Sequence, residues 1–224
     1  MSEGSGLVSA REGYERWAPS YPDVAGNPLM RVEQRLMLRL CPPLAGLRVL
    51  DLACGTGRYT HLLRATGAEV VALDLSAGML RHGPGGPRVC ADMLRLPFGA
   101  AVFDAVLSGL AIGHCHDLDA WMIEAARVLR PGGTLLYSDF HCEAARAGLT
   151  RSFSDAHQRS YTLMHACHEP EAQRRAAARA QLQVSAMLEA RVGIELTEPF
   201  DGSEHFYRRW HGLPLVLVVQ AVRR

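Results

Sequence analysis

Residues 47–60, LRVLDLACGTGRYT, constrain this chain more than any other stretch. Val49, Leu50 and Leu52 make the short apolar run of a strand covered on both faces, with Asp51 near its end. Gly55 and Gly57 then open a turn, and residues 58–64 have helical character. Such a strand, glycine turn and helix allow a ligand to press against bare backbone beside a helix N-terminus that offers free N–H groups.

The rest of the pattern is built around this unit. Strands are predicted at 48–52, 69–74, 88–91, 103–108 and 134–139, with helices at 30–40, from Ser76, and at 119–129 between or before them. Regular βαβ alternation specifies an α/β fold: a Rossmann-like seven-stranded sheet, mostly parallel with an antiparallel final strand, and helices on both faces. Residues 1–10 read as a frayed tail and 151–167 as a hairpin. A long helix is expected over 171–192, capped by Gly193, with Arg174, Arg175, Arg179 and Arg191 on a solvated face. Strands at 194–197 and 215–222 would complete the sheet. The resulting division is an aromatic N-terminal segment and helix (1–40), an alternating core (41–140), an irregular insertion (141–193) and a closing strand pair (194–224).

A 48% hydrophobic content over 224 residues is enough for a full core. The formal net charge of +1 gives no electrostatic case for nucleic acid or an acidic membrane surface. All 24 basic residues are arginine, which removes lysine as a catalytic base. The six scattered cysteines and the polar N-terminus suit a reduced, cytoplasmic setting. The longest apolar run, 213–219, is too short to span a bilayer.

Three acids, Asp51, Asp74 and Asp92, end consecutive predicted strands. In an open α/β sheet, ligands bind at that edge. One nucleoside-containing cofactor across it would use Asp74 for both ribose hydroxyls, and Asp92 with Met93 for an adenine. A dinucleotide fits poorly: Thr60 stands where the third glycine of G-x-G-x-x-G belongs, and no P-loop GK[ST] follows. Asp51, placed before the turn, suits a cationic amino group better than a phosphate.

VLDLACGTGRYT, VVALDLSAGML, ADMLRLPF, FDAVLS and LRPGGTLLYSD resemble, in order and spacing, the motifs of class I S-adenosylmethionine-dependent methyltransferases, in particular the small UbiE-like bacterial ones. The likeness covers about residues 14–140, with Ala53 in place of the first motif glycine. It implies that Ala53, Gly55 and Gly57 line the methionine part of the cofactor with Asp51. It places Asp74, Leu75 and Met79 on the ribose side, Asp92 and Met93 around the adenine, and Ser108 and Gly109 beside the sulfonium. Tyr14, Trp17 and Tyr21 resemble the lid of such a site, and the product would be S-adenosylhomocysteine.

Beyond the cofactor the chain is rich in histidine. LSGLAIGH, SDFH and YTLMHACH resemble a branch of these enzymes carrying an H, an SDFH and a Y…H-x-x-H in that order. His114, His141 and His168 are the catalytic candidates. They could serve as a general base or grip on a small-molecule acceptor, led by His114 or His141; as structural residues; or as metal ligands beside a cysteine. The alternative to methyl transfer is a cofactor-binding protein that does other chemistry at these histidines. No metal is expected, and oligomeric state and acceptor are open.

Overall fold

The computed structural model describes residues 6–83, 85–155 and 157–224. The chain begins with β1 (Gly6–Val8) and α1 (Ala10–Trp17), where the Ser9 hydroxyl caps the helix by accepting the Glu12 amide. A 3-10 turn, Ala18–Ser20, leads towards α2 (Pro28–Leu40). Asn27 caps α2 by accepting from the Met30 amide, and Pro28 supplies a preset φ at the first position. Then follow β2 (Arg48–Leu52), α3 (Arg58–Ala65), β3 (Glu69–Asp74), α4 (Ala77–His82), β4 (Arg88–Cys90), β5 (Phe103–Ser108), α5 (Leu118–Val128) and β6 (Leu129–Phe140). The second half adds α6 (Cys142–Arg146), β7 (Ser152–Ser154), β8 (Ser160–Leu163), α7 (Pro170–Arg179), β9 (Leu182–Arg191), α8 (Ser203–Trp210) and β10 (Pro214–Arg223).

The main sheet has seven strands in the order β4-β3-β2-β5-β6-β10-β9. β2 pairs in parallel with β3 and β5, β3 with β4, and β5 with β6, while β10 runs antiparallel to both β6 and β9. Alternate residues of β2 feed opposite sides, as strand geometry requires. Leu50 and Leu52 join Phe103, Trp121 and Tyr137 on one face, and Val49 joins Leu63, Leu136 and Val216 on the other. Both faces are covered, so the strands read as continuous apolar runs. Among the described residues no helix is long and apolar enough to cross a membrane.

The structure corrects three sequence expectations. The predicted long helix over 171–192 ends at Arg179, and Gln181 takes a left-handed φ of 59°. Leu182–Arg191 is instead the edge strand β9, in register with β10 from Leu182↔Arg223 to Arg191↔Pro214. Its Ala, Gln, Met, Leu and Glu residues favour helix locally, but pairing along β10 and burial of Leu182 and Ala190 outweigh that small preference. Residues 194–197 form no strand. The Arg191 carbonyl accepts the amides of Ile194, Glu195 and Leu196, folding them into a turn with one isolated bridge, Val192↔Leu196. Residues 1–5 of the expected tail lie outside the described residues. Residues 6–8 are β1, which pairs in parallel with β8 in a small sheet of order β1-β8-β7. The hairpin expected over 151–167 is β7 and β8, antiparallel, with Ser152 opposite Thr162. This sheet carries α1 across the C-terminal edge of the main sheet.

Candidate active site

A cavity of about 360 Å³ lies at that edge, where β2, β3 and β5 end, roofed by α1. The glycine turn forms its floor. Ala53, Gly55 and Gly57 all have positive φ, at 58°, 57° and 89°. Glycine adopts that backbone freely, while a residue with a Cβ costs about 1–2 kcal/mol there. Ala53 is therefore strained. Ala53→Gly is expected to raise unfolding stability by roughly 0.5–1 kcal/mol in urea titration, because relief of the clash exceeds the added freedom of the unfolded chain.

Asp51 is 1% exposed, and its Oδ2 accepts the Thr60 hydroxyl at 2.5 Å. Burial pushes its pKa up to about 6. Asp74 accepts the Gly55 amide on Oδ2 at 2.8 Å and the Ser76 amide on Oδ1 at 2.9 Å. Burial raises it too, against the lowering by those N–H groups. Both carboxylates line the cavity. Arg58, the cation whose field Asp51 feels, is paired with Glu33 at 2.8 Å. Asp92 is exposed, lines the cavity, and accepts the Leu94 amide at 2.9 Å. The cavity thus presents the carboxylates of Asp51, Asp74 and Asp92 beside apolar Leu75, Met93 and Leu94, with Arg58 committed to Glu33 and with Arg11 and Arg151 also on its lining. A ligand with one cationic centre, hydroxyl donors and an apolar ring is its complement.

Of the lid residues, Tyr14 and Tyr21 line the cavity. Trp17 does not; it stacks on Phe153 of β7 at 4.6 Å and so clamps α1 to the hairpin. Met79 and Ser108 are fully buried beneath the cavity, and Gly57 is buried in the turn at the N-cap of α3. Gly109 lines the cavity, and a Cβ there would approach the Tyr59 ring to 2.5 Å. Sequence reasoning missed Glu15, which ties α1 to the start of α4: its carboxylate accepts the Gly78 amide at 3.0 Å and the Ser76 hydroxyl at 2.9 Å. Those bonds, at the start of α4, hold Glu15 below the usual carboxylate range.

Under the floor lies a buried polar network that the sequence did not disclose. Glu33 of α2 is 0% exposed. It accepts from Arg58 at 2.8 Å, the Tyr59 hydroxyl at 2.9 Å and the Ser138 hydroxyl at 2.5 Å. Ser138 in turn accepts the Leu110 amide at 2.8 Å. The network ties α2 and α3 to β6 directly behind the cavity wall.

The three candidate histidines do not converge. His114 lines the cavity. Its Nδ1 lies 3.3 Å from the Met164 carbonyl, to which only an N–H can donate, so Nε2 is the acceptor. Nε2 faces Arg151 at 3.0 Å and the Tyr14 hydroxyl at 2.9 Å. Burial and the Arg151 charge hold His114 well below the ordinary histidine pKa. His141 is 2% exposed and caps α6, its Nδ1 accepting the Glu143 amide at 3.2 Å. Its Nε2 lies 3.5 Å from Glu189 on the edge strand. His168 donates to the Cys115 carbonyl at 2.8 Å. Neither His141 nor His168 lines the cavity, because each is spent fixing a loop behind it. Among the described residues no group of three His, Cys, Asp or Glu is arranged to hold a metal ion.

Residues 50–137 match the family model described as Methyltransferase domain. The matched stretch holds the glycine turn and Asp51, Asp74 and Asp92 of the cavity edge. The chain is 45% identical over 114 residues to a demethylmenaquinone methyltransferase of Corynebacterium urealyticum, covering 50% of this chain and 48% of that protein. It is 37% identical over 149 residues to a malonyl-[acyl-carrier protein] O-methyltransferase of Methylovorus sp., covering 57% of this chain and 48% of that one. The chain thus spans about half the length of these curated relatives. Its fold matches a crystal structure described as a putative S-adenosylmethionine dependent methyltransferase from Listeria monocytogenes, with TM-score 0.71 and 16% identity over 87% of this chain and 97% of the other.

Proposed function

We propose that the protein transfers the methyl group of S-adenosylmethionine to a small-molecule acceptor, as a step in biosynthesis. The observation that carries this reading is the pair of carboxylates, buried Asp51 and half-buried Asp74, that line the cavity on either side of the glycine turn. S-Adenosylmethionine, when bound, supplies an electrophilic methyl group on a sulfonium. Asp51 and the Gly55 turn would hold the amino-acid end, Asp74 the ribose hydroxyls, and Asp92, Met93 and Leu94 the adenine. Tyr14 and Tyr21 would exclude water from above.

His114 is then a positioning group and not the base. Its Nε2 lone pair is directed at Arg151 and Tyr14, and a histidine held so far below neutral pH has little proton affinity. It fixes Arg151, whose guanidinium also donates to the Leu110 carbonyl at 2.7 Å and to Tyr14 at 3.1 Å. His141 and His168 serve the loops that frame the site. The test is formation of S-adenosylhomocysteine from S-adenosylmethionine with a panel of phenols, amines and thiols. Turnover with one acceptor class is expected. A folded protein that binds the cofactor yet methylates none of them would favour the other reading, a cofactor-binding protein without methyl transfer.

A further inference from the structure

Beside the first cavity lies a second, of about 340 Å³, sharing Arg151 and His116 with it. Its walls are largely apolar: Phe140, Ala145, Leu149 and Leu163, with exposed Leu7 and Met164 towards solvent. His165 contributes to its wall, and its side chain is 9% exposed. His165 Nε2 lies 3.3 Å from Oδ1 of Asp139, a carboxylate 1% exposed that also accepts the amides of Gly113 at 3.2 Å and Phe140 at 2.8 Å. Nε2–H must be the donor in that pair. Nδ1 is then an acceptor, and it is buried with no hydrogen-bond partner among the described residues. Leaving such an atom unpaired costs about 1–3 kcal/mol, which a ligand O–H could return. The arrangement is built for this ring. Gly113 packs so closely on the imidazole that a Cβ there would overlap it.

We propose that the second cavity receives the acceptor and that His165, oriented by Asp139, is its general base. This rests on the methyl-transfer reading above and names the acceptor class: an apolar molecule with a weakly acidic hydroxyl, a phenol or an enol. In the step, the acceptor O–H bond breaks, its electron pair stays on oxygen, and the proton bonds to Nδ1 of His165. Asp139 balances the imidazolium, and Arg151, whose three hydrogen-bond partners are neutral, balances the oxyanion. An ammonium acceptor would be repelled by Arg151. Asp139 is a positioning residue, for it reaches the acceptor only through the ring.

The charged and titratable groups facing His165 are Asp139 from β6, His114 with ring centroids 5.7 Å apart, and Arg151 and His116 on the cavity wall. The test uses 4-nitrophenol, whose anion absorbs at longer wavelength than the phenol, added to protein saturated with S-adenosylhomocysteine. At pH 6 the wild type is expected to hold the probe largely as the anion. His165→Gln should lower the bound anion fraction about tenfold, and Asp139→Asn by a smaller factor, the scale of a positioned base. Affinity for S-adenosylhomocysteine and the melting midpoint should stay as in the wild type. Bound probe with the same spectrum in wild type and His165→Gln would overturn the proposal, as would a wild type that does not bind the probe. Failure of the wild type to bind S-adenosylhomocysteine would instead overturn the underlying methyl-transfer reading. If His165→Gln does not fold, nitrogen NMR of the wild type decides. The His165 Nδ1 signal should be that of an unprotonated nitrogen and should move on adding 4-nitrophenol, and an unmoved signal would refute the assignment.

Discussion

Replacing Asp74 by alanine is expected to weaken S-adenosylhomocysteine binding by about 1–3 kcal/mol, roughly 5- to 150-fold. Two losses add. The ribose hydroxyls lose a charged acceptor, and the Gly55 and Ser76 amides lose the carboxylate that now holds the turn in shape. Because those amides are at the surface of the cavity, water can replace part of what is lost, so the protein should still fold. Calorimetric titration checks this, with circular dichroism as the folding control. Unchanged affinity would make Asp74 a loop acid only.

Glu33→Ala is expected to have the largest effect on stability, a loss of about 3–5 kcal/mol. The change strands Arg58, whose side chain is 9% exposed, together with the Tyr59 and Ser138 hydroxyls. For a chain of this size that lowers the melting midpoint by roughly 6–20 °C. Glu33→Gln keeps the shape and two acceptor contacts but leaves the Arg58 charge unbalanced, so it should fall between. Since α2 and α3 form the wall behind the glycine turn, cofactor affinity should fall along with stability. A midpoint unchanged in Glu33→Ala would show that water readily enters behind the floor.

The parallel half of this fold was legible because its signals are local. Apolar runs such as 49–52, glycines at 55 and 57, and acids ending strands at 51, 74 and 92 each specify their own surroundings. What was not legible depends on partners distant in sequence. β9 is composed of helix formers, and only the neighbouring β10 makes it a strand. Glu33 lies in an amphipathic pattern where an acid reads as solvated; its burial comes from Arg58, Tyr59 and Ser138. The SDFH stretch reads as a unit, yet its residues divide their work. Ser138 serves Glu33, Asp139 serves His165, and His141 caps α6. No spacing rule separates those three roles.

Ala53 shows the same limit on a smaller scale. As a substitution it reads as conservative, but its φ of 58° makes it a strained position at the cavity floor. Arg151 carries no motif at all. It is drawn into the site by the hairpin of β7 and β8, which the sequence placed correctly without indicating where it would lean.

The ionisation of Asp51 offers the most direct measurement of the central claim. Burial raises its pKa in the folded protein to about 6, above the unfolded carboxylate value. The ligand-free protein therefore binds more protons than the unfolded chain between about pH 4 and 6, and this group's contribution to stability is lost as pH rises through that window. A cationic amino group binds the ionised form, so affinity should run the opposite way. Calorimetric titration of S-adenosylhomocysteine at pH 7.5 and at pH 5 is predicted to show about a tenfold weaker Kd at the lower pH in the wild type. The difference should vanish in Asp51→Asn, which should bind weakly at both values. Equal affinity at the two pH values, with Asp51→Asn binding as tightly as the wild type, would contradict the assignment of this cavity to the cofactor's cationic end.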